Sequence, residues 1–385
     1  MASHQRPLCR EDFNVALICA LPLEFDAICM VVDEFWDHEG DPYGRGHGDR
    51  NTYVTGRIGK HNIVITMLGM GKVNSATTAT SLRSSYPNIQ LAILVGICGA
   101  IPYIDAKPVR LGDVIISDII VQYDFGRQIN REFVRKKTSD SSSGPVSRDV
   151  LNLLTNINTS FGRRRLHERT MVFSEHLTAA ATRAGQSERY RSPDAAMGNL
   201  LESMSQRQIL AEKECEGDER LKLPAPAIYL GPMASGDTVM LSAERRDKIA
   251  RDEGVIAFEM EGAGLWRELP CLVVKGVSDY ANSEKTKTWQ DYAAATAAAA
   301  SKAVLERYVQ TDKPKTAVSY QLPTARQAGS TYDGNVEAME NVNQGNEMRV
   351  SSKGPLRNYE QEGSSFKGIV RAERNVRQGN VMEFW

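Results

Sequence analysis

Three acidic side chains in this sequence follow apolar runs that are typical of buried strands. Glu261 comes after the run that ends at Phe258, Asp279 after the run that begins at Cys271, and Glu24 after the first apolar run of the chain. A carboxyl group in a dry pocket has a raised pKa, which suits proton transfer near neutral pH. One such group can take a proton from water, a second can protonate a leaving group, and a third can hold sugar hydroxyl groups. These are the requirements for breaking a bond between a sugar and a nitrogenous base.

The segment around Glu261 and two turns of small residues add to this pattern. Glu259 and Glu261 flank Met260, so one carboxylate can face a pocket while the other does not. The turn Gly96-Ile97-Cys98-Gly99-Ala100 would let main-chain amides approach a ligand, and Ser235-Gly236-Asp237-Thr238 ends another apolar run. Each feature has a simpler explanation, because a glycine-rich turn is more often a loop and such an aspartate is more often a helix cap. Their joint occurrence in this order favours a site.

Short apolar runs rich in β-branched residues would position these groups. They lack strict alternation, which is typical of strands covered on both faces and therefore of an α/β sandwich. Helical stretches are predicted at Leu23–Glu34, Val73–Tyr86 and Trp289–Val309. Open α/β sheets bind ligands where strands end and helices begin. The predicted strands are Val15–Ala20, Asn62–Met67, Leu91–Gly96, Asp113–Ile120, Ile228–Met233, Gly254–Phe258 and Cys271–Val277.

The composition is that of an ordinary soluble protein and excludes several classes of partner. The chain has 385 residues, of which 41% are hydrophobic and 25% charged, with a net charge of -1. This balance gives no general attraction to nucleic acid or to a membrane surface, and no apolar run approaches the roughly 20 residues that cross a bilayer. The first dozen residues lack the apolar core of a secretory signal, and the six cysteines form no C-x-x-C pair. We expect a cytoplasmic protein with reduced cysteines and with neither metal nor cofactor.

Composition changes along the chain predict its domains. Residues 1–12 form a polar N-terminal extension, and residues 13–310 form the α/β domain. Within that domain, residues 127–226 are a variable polar insert that we expect to supply helical cover and loops. From residue 311 onward the chain is rich in Asn, Gln, Gly, Ser and Arg, so it lacks the residues of an ordinary core. Residues 311–333 are predicted to be a linker and residues 334–385 a separate tail.

The tail contains a duplication. The segment from Gly334 to Met348 returns at an offset of 34 as the segment from Gly368 to Met382, and nine of the fifteen positions are identical. Two repeats of this kind can each form one layer of a β-solenoid, with Asn and Gln ladders along the stacking axis. The alternative is a chance or merely linker-like duplication. The positions that define the motif are Gly334, Val336, Ala338, Asn341, Gly345, Asn346, Gly368, Val370, Ala372, Asn375, Gly379 and Asn380.

From about Phe13 to Tyr308 the chain resembles the nucleoside phosphorylase / methylthioadenosine nucleosidase superfamily. The resemblance rests on the small-residue turn, the Ser-Gly-Asp segment, the Glu-Met-Glu segment and the Ser-Asp pair, in this order. The segments Ile18-Cys19-Ala20-Leu21-Pro22-Leu23-Glu24 and Trp289-Gln290-Asp291-Tyr292-Ala293 are similar to the variant found in fungi, which is often fused to signalling modules. The resemblance implies a three-layer α/β/α sandwich with a central mixed, twisted sheet. It also implies a purine nucleoside or nucleotide as the small-molecule substrate, and a homo-oligomer.

The resemblance assigns roles to individual residues. Glu261 would bind the ribose hydroxyl groups, and Met260 would pack on the sugar. Asp279 would donate a proton to N7 of the purine, with Ser278 orienting it. Glu24 would be the general base that activates water, and its alternative is an ordinary residue of a first helical turn. The other residues expected at the ligand are Gly99, Cys98, Asp237, Val239 and Phe258.

The nucleophile distinguishes a hydrolase from a phosphorylase in this superfamily. A phosphorylase holds phosphate with arginines, and the resemblance places these where this chain has Leu94-Val95 and Leu21–Glu24. A carboxylate in that place would repel phosphate, so hydrolysis is favoured and phosphorolysis stays open. Val239 stands where nucleosidases have an aromatic ring over the purine, and Phe258 or Tyr123 could supply that ring instead.

The resemblance implies adenine as the base, because adenine is the usual base of the hydrolytic branch. Relatives fused to immune modules are implied to act on adenine nucleotides, including ATP. Such a substrate would need cations near its 5′ side, and Lys72, Arg127 and the cluster Arg163–Arg165 are available.

The duplicated tail resembles the two-repeat amyloid motif of the fungal heterokaryon-incompatibility prion, including a terminal aromatic pair, Phe384-Trp385. This implies a tail that is disordered until it is templated by a nucleotide-binding immune receptor with a matching repeat. Two hypotheses follow. The chain is a nucleosidase whose activation depletes a purine nucleotide and causes programmed cell death in innate immunity, or it is a catalytically idle nucleoside sensor with a signalling tail. The intact Glu24, Glu261 and Asp279 favour the enzyme.

Overall fold

The computed structural model describes residues 6–117, 119–129, 132–136, 148–193 and 225–309, with short strands between residues 325 and 384. The chain divides into two compact units, Met1–Val309 and Gln310–Trp385. The helices of the first unit are α1 (Pro22–Cys29), α2 (Lys72–Ser85), α3 (Arg148–Ile157), α4 (Ser160–Arg183), α5 (Ala243–Glu253), α6 (Gly262–Leu265) and α7 (Gln290–Arg307). Its strands are β1 (Val15–Cys19), β2 (Glu34–Phe35), β3 (Tyr53–Ile58), β4 (His61–Met67), β5 (Leu91–Ala100), β6 (Tyr103–Ile104), β7 (Lys107–Pro108), β8 (Val114–Ser117), β9 (Ile120–Gln122), β10 (Gly126–Ile129), β11 (Glu132–Arg135), β12 (Ile228–Leu230), β13 (Met233–Ser235), β14 (Ala257–Glu259) and β15 (Cys271–Asp279).

A mixed sheet forms the centre of the first unit. Strand β1 lies between β4 and β5 and runs parallel to both, and β15 lies parallel on the other side of β5. Strand β8 is antiparallel to β15, and β3 is antiparallel to β4. The short strand β14 pairs with the end of β5. Strand β13 pairs with β14, and β9 pairs with β13. The mixed sheet confirms the predicted fold class.

Both faces of this sheet are covered, which explains why its strands are apolar at every position. In β1, Val15 and Leu17 face one buried cluster, while Ala16 and Ile18 face the other. Helices α1, α3, α4 and α7 cover the first face, and α2 with α6 covers the second. Successive side chains of a strand point to opposite faces, so a strand between two helical layers needs apolar residues throughout.

Small residues bring helix α7 directly onto the strand that carries Asp279. A Cβ atom on Gly276 of β15 would lie only 1.9 Å from the carbonyl oxygen of Ala293 in α7. The alanines of this helix are buried, because short side chains let a helix pack closely on a sheet. This close contact with the helix therefore fixes the position of β15, including its end at Asp279.

The predicted turn at Gly96–Ala100 is wrong, because these residues are the second half of strand β5. Gly96 pairs with Lys275 and Cys98 with Val277 in the neighbouring strand β15, and Ala100 pairs with Ala257. Partner strands on both sides supply the main-chain hydrogen bonds that keep small residues extended, and a sequence pattern cannot show such partners.

Two predicted strands are each split in two. The predicted strand Asp113–Ile120 becomes β8 and β9, because the Ser117 hydroxyl donates to the Ile119 carbonyl at 2.8 Å and turns the chain. The predicted strand Ile228–Met233 becomes β12 and β13 around Pro232, which has no N–H to donate to a ladder. These breaks let β9 and β13 form a separate branch of the sheet beside β14.

Helices α3 and α4 lie within the polar insert predicted at residues 127–226 and pack on the side of the sheet that carries α7. A short hairpin of β10 and β11 precedes them. Residues 137–147 and 194–224 of this insert lie outside the described residues. Among the described helices, none is long and apolar enough to cross a membrane.

In the second unit, every strand pairs in parallel with a partner 34 residues away. Ala325 pairs with Tyr359, Val336 with Val370, and Glu347 with Val381. The strands are β16 (Ala325–Gln327), β17 (Thr331–Asp333), β18 (Val336–Ala338), β19 (Val342–Gln344), β20 (Glu347–Val350), β21 (Tyr359–Gln361), β22 (Ser365–Lys367), β23 (Val370–Ala372), β24 (Val376–Gln378) and β25 (Val381–Phe384).

This register has the same offset as the duplication in the sequence, and it begins at Ala325, before the duplicated segment. Four predicted motif positions lie in strands, namely Val336, Ala338, Val370 and Ala372. The other predicted motif positions lie outside the described residues: Gly334, Asn341, Gly345, Asn346, Gly368, Asn375, Gly379 and Asn380.

Candidate active site

Glu24 lies buried between the end of β1 and the second half of the parallel strand β5. It is the third residue of α1, and its Oε2 accepts hydrogen bonds from the N–H groups of Ala20 and Leu21, both at 2.9 Å. Its Oε1 accepts from the N–H of Ile97 in β5 at 2.8 Å. A carboxylate has about four acceptor positions, so these three bonds fix the group and leave one position, on Oε1, for a further donor. Glu24 is only 2% exposed.

Gly96 makes room for this carboxylate. A Cβ atom at Gly96 would lie 2.1 Å from Oε1 of Glu24, closer than any nonbonded contact allows. Because Glu24 is held by three main-chain donors, it cannot withdraw without losing them. The absence of a side chain at Gly96 is therefore a condition for the position of Glu24.

We expect Gly96→Ala to displace Glu24 and to lower the catalytic rate at least about 100-fold, as misplacement of a reacting group by about 1 Å can do. The matched control is Gly231→Ala, whose Cβ would meet only the flexible end of Ile256. Steady-state kinetics on both variants, with circular dichroism to verify folding, measure the effect. A Gly96→Ala protein with unchanged kcat would show that the position of Glu24 is not required.

A buried lysine brings the glutamates together. Lys275 of β15 is completely buried, and its Nζ lies 3.4 Å from Oε2 of Glu261. Burial lowers the pKa of Lys275, but the nearby carboxylates of Glu24, Glu261 and Glu259 outweigh burial and raise the pKa above its ordinary value. The ammonium group therefore stays charged and partly balances three acids. Lys275 was not among the residues predicted from the sequence, although a single charged residue within the apolar run from Cys271 to Val277 is a signal for a buried charge.

The two glutamates around Met260 have different partners. Oε2 of Glu259 accepts from the N–H groups of Glu261 and Gly262, at 3.0 and 2.8 Å, so Glu259 caps the start of α6. Burial raises the pKa of the Glu259 carboxyl, and Lys275 opposes only part of that rise. Glu261, by contrast, has its carboxylate beside Lys275. Because the chain turns into α6 between them, Glu259 binds main-chain N–H groups whereas Glu261 contacts Lys275.

Asp279 ends β15 and is held from three sides. Its Oδ1 accepts from the N–H of Ala281 at 2.9 Å, and its Oδ2 accepts from the Ser278 hydroxyl at 2.9 Å. The ammonium group of Lys285 lies 3.1 Å from the same Oδ2, and about a third of the Lys285 side chain is exposed. Ser278 thus contacts Asp279 as expected, and it also lies 3.3 Å from the carbonyl oxygen of Cys98. Lys285 was not among the residues predicted from the sequence.

A cavity lies between the end of β15 and the branch strands β13 and β14. Five residues predicted at the site line this cavity, together with Thr238, Met240, Glu259, Ala281 and Lys285. The five are Gly99, Val239, Phe258, Met260 and Asp279. Lys275 and Asp279 are four residues apart on one strand, at most about 13 Å. The glutamate–lysine cluster and the cavity therefore lie at successive positions along β15.

Phe258 is the aromatic residue on the cavity wall. Tyr123, the other candidate, lies behind it, with ring centroids 6.1 Å apart in an edge contact. The Tyr123 hydroxyl donates to the carbonyl of Thr238 at 2.7 Å and so fixes the loop that carries Val239. Val239 is half exposed and lines the same cavity.

Asp237 is placed at the start of helix α2 rather than in the cavity. Its Oδ1 accepts from the N–H of Lys72 at 2.9 Å, and its Oδ2 lies 3.4 Å from the Lys72 ammonium. Lys72 also pairs with Asp124 at 2.6 Å. Burial alone would raise the pKa of Asp124, but Lys72 and the N–H of Asp237 lower it. Asp237 therefore acts as a helix cap, and the charge of Lys72 is already compensated.

A family model described as the phosphorylase superfamily matches residues 14–310. The chain belongs to the phosphorylase superfamily. The match covers the first unit with all of the acids described above. It confirms the superfamily that the order of motifs indicated.

This superfamily member covers very different shares of two curated relatives. An NLR-like (nucleotide-binding leucine-rich repeat) protein of Hyaloscypha variabilis is 32% identical over 314 residues, which are 78% of this chain and 30% of that protein. A 5′-methylthioadenosine/S-adenosylhomocysteine nucleosidase of Mycobacterium bovis is 21% identical over 76% of this chain and 95% of its own length. The chain thus spans under a third of the first relative and nearly all of the second.

Solved structures similar to this superfamily member include two enzymes of Helicobacter pylori. A mutant 5′-methylthioadenosine nucleosidase with 5′-methylthioadenosine in its active site is 17% identical, with a TM-score of 0.49, and the match covers 76% of this chain and 98% of the other. A futalosine hydrolase is 18% identical with the same TM-score, over 76% of this chain and 97% of the other.

Proposed function

We propose that this chain hydrolyses the N-glycosidic bond of a purine nucleoside or nucleotide, with adenine as the base. The observation that carries the proposal is the state of Glu24, which is buried, fixed by three main-chain donors and left with one free acceptor position. A glutamate so held is suited to take a proton from one water molecule. The 21%-identical mycobacterial nucleosidase supports the reaction class.

In the proposed reaction, Glu24 accepts a proton from water while the water oxygen forms a bond to C1′ of the ribose. The bond between C1′ and N9 breaks, and its electrons go to the purine. Asp279 gives a proton to N7 and regains one from solvent, and the partly exposed Lys285, 3.1 Å away, stabilises the carboxylate that forms in between. Glu261 holds the ribose hydroxyl groups, and Phe258 flanks the base. Glu24 finally releases its proton to solvent, so atoms and charge balance.

The charge around Glu24 supports water rather than phosphate as the nucleophile. Three glutamates surround one lysine, so the cluster carries an excess of negative charge. A phosphate dianion entering this cluster would be repelled by each carboxylate, and this repulsion is strong where water is excluded. Phosphorolysis is the second candidate, because Lys275 is a cation beside Glu24 and Glu261.

The experiment is an assay of base release by the purified 385-residue chain. ATP, AMP, adenosine and methylthioadenosine are incubated with the protein, with and without phosphate, and free adenine is measured by chromatography. Adenine release without phosphate is the expected result. Release only with phosphate would establish a phosphorylase, and no release from any substrate, with or without preformed tail fibrils, would favour an idle nucleoside sensor.

We expect the acid limb of kcat/KM to lie above pH 4.5, the ordinary pKa of a glutamate. Burial raises the pKa of Glu24, while Lys275 and the main-chain donors oppose only part of that rise. Glu24 acts as a base only when ionised, so activity is lost as the pH falls through this raised value. A pH–rate profile of the wild-type chain measures it, and a limb at or below pH 4.5 would exclude Glu24 as the titrating base.

We further propose that the second unit is an amyloid signalling tail through which copies of this chain assemble, and that assembly activates the enzyme. The constant offset of 34 in every strand pair supports two stackable layers. Opposite charges occupy three paired register positions, Arg326/Glu360, Glu337/Arg371 and Arg349/Glu383. Another copy added at the same offset would continue the alternation of charge. An immune receptor with a matching repeat is the proposed template, and the NLR-like relative supports such a context.

We expect Val370→Pro to prevent fibril formation by the tail, because proline removes one main-chain donor from strand β23 and cannot continue a ladder. Ser352→Pro, between the two sets of strands, is the matched control and should leave fibril growth unchanged. Thioflavin fluorescence and electron microscopy of the 385-residue chain measure the effect. Equal fibril growth by Val370→Pro and the wild-type chain would refute pairing at this strand.

A further inference from the structure

A single peptide unit connects Asp279 to a buried arginine. The N–H of Ala281 donates to Oδ1 of Asp279 at 2.9 Å, and the carbonyl on the other end of the same peptide bond belongs to Tyr280. That carbonyl accepts a hydrogen bond from Nη1 of Arg246 at 2.6 Å. Because a peptide bond is planar, fixing its oxygen also fixes the direction of its N–H. Arg246 therefore controls where the donor to Asp279 points.

Arg246 is built into the fold at this place. It lies in the first turn of α5, which begins after Ser242, whose hydroxyl accepts from the N–H of Arg245 at 3.2 Å. The arginine is 5% exposed, and its Nε donates to Asp247 at 2.7 Å. This hydrogen bond lowers the pKa of Asp247, so the partner stays ionised. A buried guanidinium is costly unless it is paired, and here one of its other N–H groups donates to the turn after Asp279.

The turn itself needs such a restraint. Ala281 has φ = +50°, a left-handed conformation that an alanine rarely adopts. It also lies against Gly99, where a Cβ atom would be 2.9 Å from the Ala281 side chain and 2.8 Å from Oδ1 of Asp279. A strained residue persists only where its surroundings over-determine it. The charged hydrogen bond from Arg246 is one of those restraints.

We propose that Arg246 is a positioning residue for Asp279. It holds the Tyr280–Ala281 peptide so that its N–H binds one carboxylate oxygen and leaves the other for Ser278, Lys285 and the leaving base. A charged donor on the carbonyl also polarises the amide and strengthens its N–H as a donor. This inference rests on the proposed function, in which Asp279 protonates the purine.

The test compares two leaving groups in Arg246→Met and in the matched control Arg251→Met, an exposed arginine of the same helix. Adenosine needs a proton on its base to react, whereas the nitrophenolate of 4-nitrophenyl β-D-ribofuranoside leaves without one. For Arg246→Met we expect kcat on adenosine to fall about 10- to 100-fold, with the nitrophenyl riboside changed less than about threefold. Arg246→Lys, which keeps a cation, should restore part of the activity on adenosine, and Arg251→Met should leave both rates unchanged.

Equal losses on both substrates, or no loss on adenosine, would overturn the positioning role. If Arg246→Met does not fold, the rates on the two substrates are compared in Arg246→Lys instead. An ammonium group cannot reproduce the guanidinium geometry, so a selective loss on adenosine is expected there too. A wild-type chain that cleaves no nucleoside would refute the proposed function separately. A crystal structure of the variant would then decide the inference, which fails if the Ala281 N–H still donates to Asp279.

Discussion

Glu24→Gln is expected to lower the rate of base release by about 100- to 10,000-fold, the range that general acid–base catalysis contributes. The amide cannot accept a proton from water at neutral pH. It also offers its nitrogen to at least one of the three main-chain donors that now bind the carboxylate. One unsatisfied buried N–H costs about 1–3 kcal/mol, so the variant should be less stable but folded. Base release, measured at the pH optimum of the wild-type chain, is the primary readout.

Binding and stability measurements separate catalysis from folding in this variant. We expect the Kd for adenosine, measured by calorimetry, to change only a few-fold, since Glu261 and Phe258 are untouched. Glu34→Gln, an exposed glutamate paired with Arg57, is the matched control and should have wild-type activity. Retained turnover in Glu24→Gln would remove it as the base. Loss of binding in parallel with turnover would assign it a structural role instead.

Lys275→Met is expected to produce the largest loss of stability. The methionine fits a buried strand position, but it leaves Glu24, Glu259 and Glu261 without the cation that balances them. Removing one partner of a buried ion pair costs about 3–5 kcal/mol, which corresponds to a Tm lower by on the order of 10 °C for a domain of this size. Because Lys275 lowers the pKa of Glu24, its loss should also move the acid limb of activity to higher pH.

Calorimetry and the pH–rate profile measure these two effects of Lys275→Met. Lys287→Met, at an exposed position after Asp279, is the matched control and should change neither. Lys275→Arg restores the positive charge and should recover part of the stability. A Tm within about 2 °C of the wild type, which corresponds to less than about 1 kcal/mol, together with an unmoved acid limb would show that Lys275 does not compensate these acids.

The residue types of the site and the class of the fold could be read from the sequence because both depend on local patterns. Strands buried on both faces must be apolar at each position, so their runs identify an α/β sandwich. Acids that follow such runs, as Glu24, Glu261 and Asp279 do, lie near an edge of the sheet whatever its exact register. The offset of the tail repeat was equally local, since identical residues recur at a fixed spacing.

Other features could not be read from the sequence because they depend on which elements become neighbours. The residues from Gly96 to Ala100 have the composition of a turn, but pairing with β15 and β14 keeps them extended. Asp237 is an acid that follows an apolar run, as a site residue would. In the structure its carboxylate accepts a hydrogen bond from the N–H of Lys72 and caps helix α2. The sequence left open whether Phe258 or Tyr123 is the aromatic residue at the cavity. In the structure Phe258 lines the cavity, and Tyr123 contacts the Phe258 ring from behind.

The sequence by itself determined which chemical groups this protein has and in what order they follow its strands. Only the tertiary structure decided which of them meet. Glu24, Ile97 and Lys275 come together because β1, β5 and β15 are adjacent in the sheet, although they are far apart along the chain. Arg246 reaches the peptide after Asp279 from a separate helix. Charge compensation and orientation act through space over a few ångströms, so they follow from strand order and register, which local residue patterns do not encode.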